Sequence, residues 1–248
     1  MQVDQLTFPA VTLHREVVLD LYRQSNTPGV LLLVNDGQDL PPLPASLPPG
    51  LWIAAIHAGP RRRQEYGVAG IADYQGDGAL AAVYTQCVIK ELLPFLEQRY
   101  PALAQVRRAF AGFSLGGLSA LDIVWQHPQY FQLAGVFSGA LWWRSRPLDA
   151  AYRDERDRIM HRRIRESAYR PGLQFFFECG TADETADRNG NGVIDSIDDT
   201  LDLIQLLKDK GYREPEDIAY LEIAGGRHDQ ETWGRAMGVF LGMEFFRS

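Results

Sequence analysis

Apolar residues along this chain gather into short blocks separated by polar stretches. The first blocks are FPAVTL (8–13), REVVLDLYR (15–23), VLLLVND (30–36) and LWIAAIHAG (51–59). RRAFAGFS (107–114), LAGVFSG (133–139), LQFFFECG (173–180) and DIAYLEIAG (217–225) follow. Several are apolar without interruption, the pattern of strands buried on both faces. Between the later blocks, apolar residues recur every three or four positions, over 79–100, 116–128, 200–211 and 228–246, and this predicts helices. Tyr100 and Pro101 close the first of these, and Gly211 closes the third. Strands alternating with helices predict a mostly parallel sheet with right-handed crossovers. The first two blocks have no helix between them and predict an antiparallel hairpin at one edge. The expected fold class is α/β, with an eight-stranded, mostly parallel sheet in one domain over residues 1–248. The stretch PPLPASLPPG (41–50) reads as a stiff connector. Segment 152–170 carries many charges of both signs and reads as a solvated helix laced with i,i+4 pairs, or as a lid.

Composition narrows the function classes. The formal net charge of −7 argues against general nucleic-acid binding, which needs a basic face for the phosphates. No apolar run approaches the ~20 residues of a membrane span. The opening MQVDQLTFPAVTLHRE lacks the charged and apolar regions of a signal peptide, so a cytoplasmic location is expected. Cys87 and Cys179 lie far apart and in no CxxC, giving neither a disulfide framework nor a zinc site. No membrane partner and no organic cofactor are expected, and the oligomeric state is left open.

The densest chemistry lies where RRAFAGFS meets GGLSALDIVW. Gly112-Phe113-Ser114-Leu115-Gly116 is a G-x-S-x-G at a predicted strand-to-helix turn, the setting of a nucleophile elbow. A serine hydroxyl needs a base to take its proton. Of the five histidines, only His228 follows the last predicted strand and opens the last helix, in GGRHDQETW (225–233). His14, His127 and His161 are assigned structural or surface roles; His57, after the fourth strand, could line the pocket. The acid is expected on the loop after LQFFFECG, where Asp183 is preferred and Glu184 is the alternative. An oxyanion needs N–H donors. One is the amide of Leu115; the other should come from VNDGQD, with Gln38 the first choice and Gly37 the second.

Taken together, AGFSLGG, NDGQ, IHAGPRRRQEYG, FSGALWW (137–143) and GGRHDQETW resemble the putative-esterase family of α/β-hydrolases. That family includes esterase D, the enterochelin esterases, feruloyl esterase domains and the mycolyltransferases. The resemblance covers residues 12–247 and is nearest to the enterochelin-esterase-like branch. It implies a three-layer αβα sandwich, the α/β-hydrolase fold, with Ser114, Asp183 and His228 as the triad and Gln38 supplying the second oxyanion amide. Arg61, Arg62 and Arg63 form a basic cluster, of which Arg61 is a candidate for the substrate pocket. Trp142, Trp143 and Trp233 are candidates for its walls, with core packing an equal reading.

Residues 187–198 read DRNGNGVIDSID and match an EF-hand calcium loop. Asp187, Asn189, Asn191, the Val193 carbonyl, Asp195 and Asp198 fall at the ligand positions, with Gly192 at the sharp turn. Asp in place of Glu at the last position resembles the dockerin variant. A structural Ca²⁺ bracing the acid loop is therefore expected. The other reading is a polar loop whose acids cap a helix beginning near Thr200. The charge distribution sharpens this choice: residues 183–202 hold seven acids and one base, Arg188, a net of −6, leaving −1 for the rest of the −7.

The function expected from these residues is a serine carboxylesterase acting on a small-molecule ester. Acyl transfer through the same acyl-enzyme is the alternative within enzymes. A non-catalytic, calcium-stabilised binding module is the alternative outside them.

Overall fold

The computed structural model describes residues 1–247. Strands β1 (Gln2–Ala10) and β2 (Arg15–Arg23) form the antiparallel hairpin, and β2 continues antiparallel onto β4 (Leu51–Ile56). From β4 onward the pairing is parallel, through β3 (Val30–Asn35), β5 (Arg107–Phe113), β6 (Leu133–Phe137), β7 (Gln174–Ala182) and β8 (Ile218–Arg227). The spatial order is β1-β2-β4-β3-β5-β6-β7-β8 in one eight-stranded sheet.

Side chains alternate across each strand, so the continuous apolar blocks feed two separate cores. On one face Leu31, Leu33, Phe110, Phe175 and Phe177 pack beneath several helices. These are α2 (Ala81–Cys87), α3 (Leu93–Arg99), α4 (Leu115–Gln126), α6 (Ile159–Glu166) and α7 (Asp195–Lys210), with one-turn α1 (Arg62–Glu65) and α5 (Asp154–Asp157) beside them. On the other face Val30, Leu32, Val34, Phe113 and Phe176 meet Phe240 of α8 (Gln230–Leu241) and the C-terminal Phe245 and Phe246. This is the expected three-layer αβα sandwich. The proline-rich stretch does more than connect, because its Leu47 is buried in the second core.

Three local departures have physical causes. β1 starts at Gln2, well before the apolar block at 8–13, because Leu6, Phe8 and Ala10 alternate with exposed residues. A half-buried strand shows as alternation and not as a continuous run. The long helix over 81–99 contains a widened turn, Val88–Leu92, just before Pro94. A proline inside a helix lacks the N–H and crowds the carbonyl four residues back. Segment 152–170 is not a solvated helix. It folds into α5 and α6, with Ile159, Met160 and Ile164 in the core and Arg158 and His161 buried. Among the described residues, no helix is long and apolar enough to cross a membrane. Cys87 and Cys179 are both free and buried.

Candidate active site

The strand order changes direction between β3 and β5, and ligands of open α/β sheets bind at the carboxyl ends of strands at such a point. Ser114 sits there, between β5 and α4, with φ 53° and ψ −122°. Two contacts hold this left-handed backbone: Ser114 N–H donates to the Phe137 carbonyl at 2.9 Å, and the Ser114 carbonyl accepts from Ala140 at 3.1 Å. The turn closes only because its neighbours lack side chains. A Cβ on Gly112 would fall on the Gly116 carbonyl, and one on Gly116 would lie 2.6 Å from Asp36 Oδ2. Among the described residues the Ser114 hydroxyl bonds to no protein group, and it faces a cavity of about 580 Å³. The Leu115 N–H, at the first position of α4, has no acceptor within the helix. The Gln38 N–H lies in the short turn Gly37–Asp39 after β3 and likewise donates to no protein carbonyl or side chain among the described residues.

His228 lies between β8 and α8 and lines the same cavity as Ser114. Its ring stands edge-on to Trp233, centroids 5.1 Å apart, and Trp233 stacks on Phe113 at 5.0 Å. Protein packed around the imidazole lowers its pKa from the ordinary histidine value, while the negative charge of Asp183 pulls it back up. Asp183 follows β7, accepts the Gly180 N–H at 3.2 Å, and has its pKa raised by burial. Glu184 is engaged elsewhere, accepting the Ser196 N–H at 2.7 Å in the first turn of α7. The charge of Asp183 thus acts on His228 with no hydrogen bond joining the two among the described residues, while Glu184 is tied to α7.

Residues that sequence reasoning passed over complete the cavity. Asp36, inside the quoted NDGQ, receives a bidentate pair from Arg62 at 2.6 and 2.7 Å, and both line the cavity with Asp39, Asp229, Gln230 and Glu231. Arg62, and not Arg61, is the arginine of the cluster that reaches it. Arg61 turns back to the Leu13 carbonyl at 2.8 Å, and Arg63 pairs with Asp77. Asn35 bridges β3 and α4, donating to the Gly116 carbonyl at 2.8 Å and accepting from Tyr84 at 2.6 Å. His57 is bonded to Asp20 of β2 at 2.8 Å and is not part of the cavity wall. Trp143 is buried against Gly67 and Gly78. Trp142 is exposed beside a separate depression with Arg144, Leu148 and Glu184. Of the three tryptophans singled out from the sequence, Trp233 alone lines the cavity of Ser114. Segment 152–170 contributes no residue to that wall.

The acid-rich segment is met by arginines. Arg158 bonds Asp199 at 2.6 Å and Asp202 at 2.7 Å; Arg188 bonds Asp154 at 2.9 Å, Asp195 at 3.2 Å and Asp199. Helix α7 begins at Asp195, five residues before the start near Thr200 expected from the sequence. Within 187–198, Asp187 accepts the N–H groups of Gly190, Asn191 and Gly192 at 2.8, 3.2 and 2.9 Å. The Asn189 and Asn191 amides both donate to Asp198, at 2.8 and 2.9 Å. Among the described residues, no three His, Cys, Asp or Glu side chains gather into a group that could hold a metal ion.

Comparison with known proteins places the chain in a family. Residues 52–241 match the profile of the family described as putative esterase. The chain belongs to that family. It also shares its fold with solved enzymes. An enterobactin esterase from Shigella flexneri superposes with a TM-score of 0.68 at 20% identity, covering 98% of this chain and 59% of that one. The chain thus spans about 59% of that relative's length. A ferulic acid esterase gives 0.64 at 17% identity over 99% of this chain and 98% of its own. An IroE-like serine hydrolase from Shewanella oneidensis gives 0.67 at 16% identity, covering 97% and 79%. No curated protein matches this chain in sequence.

Gly116→Ala tests the close approach on which the site is built. The added Cβ meets an Asp36 carboxylate pinned by Arg62, so overpacking should cost roughly 1–3 kcal/mol in urea denaturation. Ester hydrolysis should fall by at least about tenfold, because the turn carrying Ser114 is displaced. Parental stability and rate in this variant would contradict the account.

Proposed function

We propose that this hydrolase cleaves carboxylic esters through an acyl-enzyme on Ser114. The observation that carries the reading is the meeting of Ser114, at a strained strand-to-helix turn, with His228 in one cavity. Ser114 Oγ attacks the ester carbonyl while His228 takes its proton, and His228 returns that proton to the leaving alcohol. Asp183 orients the imidazole and stabilises its charged form. The Leu115 and Gln38 N–H groups receive the oxyanion, and each such donor is worth roughly 10²–10³ in rate. Water then attacks the acyl-enzyme by the same proton route in reverse. Trp233 stacked on Phe113 gives the cavity an aromatic wall. That wall supports an ester of an aromatic acid as substrate, in keeping with a ferulic acid esterase of the same fold. Transfer of the acyl group to an alcohol would use the same intermediate.

The same reading gives the 187–198 loop a structural calcium ion. Gly192 adopts φ 86°, as the sharp turn of such a loop needs, and Asn189 and Asn191 converge on Asp198. Asp187, Asn189, Asn191, the Val193 carbonyl and Asp198 would hold the ion. Asp195, held by Arg188, stands at the position that often acts through a water. A cation there would neutralise acid charge and brace the segment that follows Asp183.

Two measurements check these assignments. Ser114→Ala should lose nearly all hydrolysis of a nitrophenyl ester of an aromatic acid, because triad members act as a unit. In the parent, kcat/KM should rise with pH as His228 loses its proton, with a midpoint below the ordinary histidine value of about 6.5. Substantial activity in Ser114→Ala would reject the mechanism. For the loop, calcium at about 100 times its Kd should stabilise the protein by roughly 2.7 kcal/mol, read as a rise in Tm that chelator reverses. No Tm response to calcium or chelator, or an equal response in Asp187→Ala/Asp198→Ala, would remove the ion.

A further inference from the structure

Behind Asp183 lies a second carboxyl group that the mechanism does not use. β7 carries Glu178 in register with Phe137 of β6 and Leu221 of β8, and the residue is 1% exposed. Among the described residues neither of its carboxyl oxygens has a hydrogen-bond partner, and the Oδ1 of Asp183 is likewise buried without one. Three acceptor oxygens therefore share one buried space. The polar group beside them is Ser138, which is buried, sits at φ 44° and donates its N–H to the Glu178 carbonyl at 2.8 Å. Its hydroxyl oxygen accepts the Trp233 indole N–H at 2.9 Å. Its one proton lies near both carboxyl groups and cannot serve both.

The charges around Glu178 do not neutralise it. Asp183 faces it from the end of its own strand, and Arg235 of α8, the cation near it, is exposed to solvent. Tyr220 of β8 and the neighbouring Cys179 are close and neutral, their own pKa values pushed up by burial. A buried carboxylate with Ser138 as its nearby donor and an acid beside it carries a desolvation cost that is not fully compensated. One additional proton resolves all of this, and it belongs on Glu178, the more deeply buried partner. Asp183 has the Gly180 N–H and the nearby His228 to stabilise its charge.

We propose that Glu178 is a neutral carboxylic acid in the folded protein and supplies the shared proton of a Glu178–Asp183 carboxyl pair. Asp183 keeps the negative charge and is held turned towards His228. Glu178 is a positioning residue acting through Asp183, and this rests on the assignment of Asp183 as the triad acid. Burial, reinforced by the Asp183 charge, pushes the Glu178 pKa up to about 8, which agrees with the geometry.

Linkage gives the sign of the test. The unfolded chain releases this proton near pH 4.5, while the folded protein holds it to about 8. Glu178 therefore lowers stability progressively as pH rises through that window, and no further above it. Glu178→Gln keeps a donor beside Asp183 and removes the titration. Its Tm should gain on the parent by several degrees between about pH 5 and 8, and its kcat/KM at pH 7 should stay within about threefold of the parent. Glu178→Met has no donor and should lose roughly tenfold or more. In the infrared, the carbonyl stretch of a protonated carboxylic acid should be present at pH 7, where Asp122, with its pKa at about 6, has largely ionised. That band should remain in Asp183→Asn and vanish on titration above pH 8, a readout that judges Glu178 even where Glu178→Gln does not fold. A pH-independent Tm difference, absence of the band, or a Glu178→Gln loss as large as that of Asp183→Asn would overturn the proposal. Ser114→Ala measured alongside separates the cases: activity there rejects the acyl-enzyme reading, while the Tm and infrared results still decide the protonation of Glu178.

Discussion

The site depends on how closely α4 approaches the end of β5. Gly112 and Gly117 leave no room for side chains between α4 and β5, Gly116 leaves none between α4 and Asp36 after β3, and this packing holds Ser114 in a left-handed backbone. Such a conformation in a residue other than glycine costs on the order of 1–3 kcal/mol and persists only when its surroundings over-determine it. Here they do so from three sides. β6 supplies the Phe137 carbonyl, Ala140 binds the Ser114 carbonyl, and Asn35 ties β3 to the Gly116 carbonyl. One constraint thus places Ser114 at the cavity and seats Asp36 with its partner Arg62 against the same helix.

A second layer of order is electrostatic and links distant segments. The −6 of residues 183–202 is not left to solvent. Arg158, from the charged segment between β6 and β7, reaches two of its acids, and Arg188 ties Asp195 and Asp199 to Asp154. Buried ion pairs of this kind add little net stability, yet breaking one leaves a costly unpaired charge, so they hold a single arrangement of the loop after Asp183. The acid-rich loop is therefore joined to α5 and to Arg158 at the start of α6.

Features set by local chemistry were readable from the sequence. The G-x-S-x-G between a continuous apolar strand and a helical pattern located Ser114, and chain order after the last strand located His228. Features set by side-chain direction were not. Arg61 and Arg62 are adjacent in the same cluster, and only the path of the one-turn α1 decides that Arg62 meets Asp36 while Arg61 meets the Leu13 carbonyl. His57 follows the fourth strand as expected, but its ring is claimed by Asp20 on the neighbouring strand. Ser138 lies in the quoted FSGALWW and Glu178 in LQFFFECG, but neither stretch says what its polar side chain meets. Their importance appears only when strands β6 and β7 lie side by side and leave acceptor oxygens without donors. The charged segment misled for a related reason: its few apolar residues were enough to bury a face once arginine charges found partners.

The central claim is that the Ser114 hydroxyl is activated by His228. A fluorophosphonate probe, with the adduct located by mass spectrometry, measures this directly. The account predicts one phosphonyl group per chain, on Ser114, formed more slowly as pH falls through the depressed pKa of His228 and nearly abolished in His228→Ala. An adduct on another residue, or labelling of Ser114 at the parental rate in His228→Ala, would contradict it.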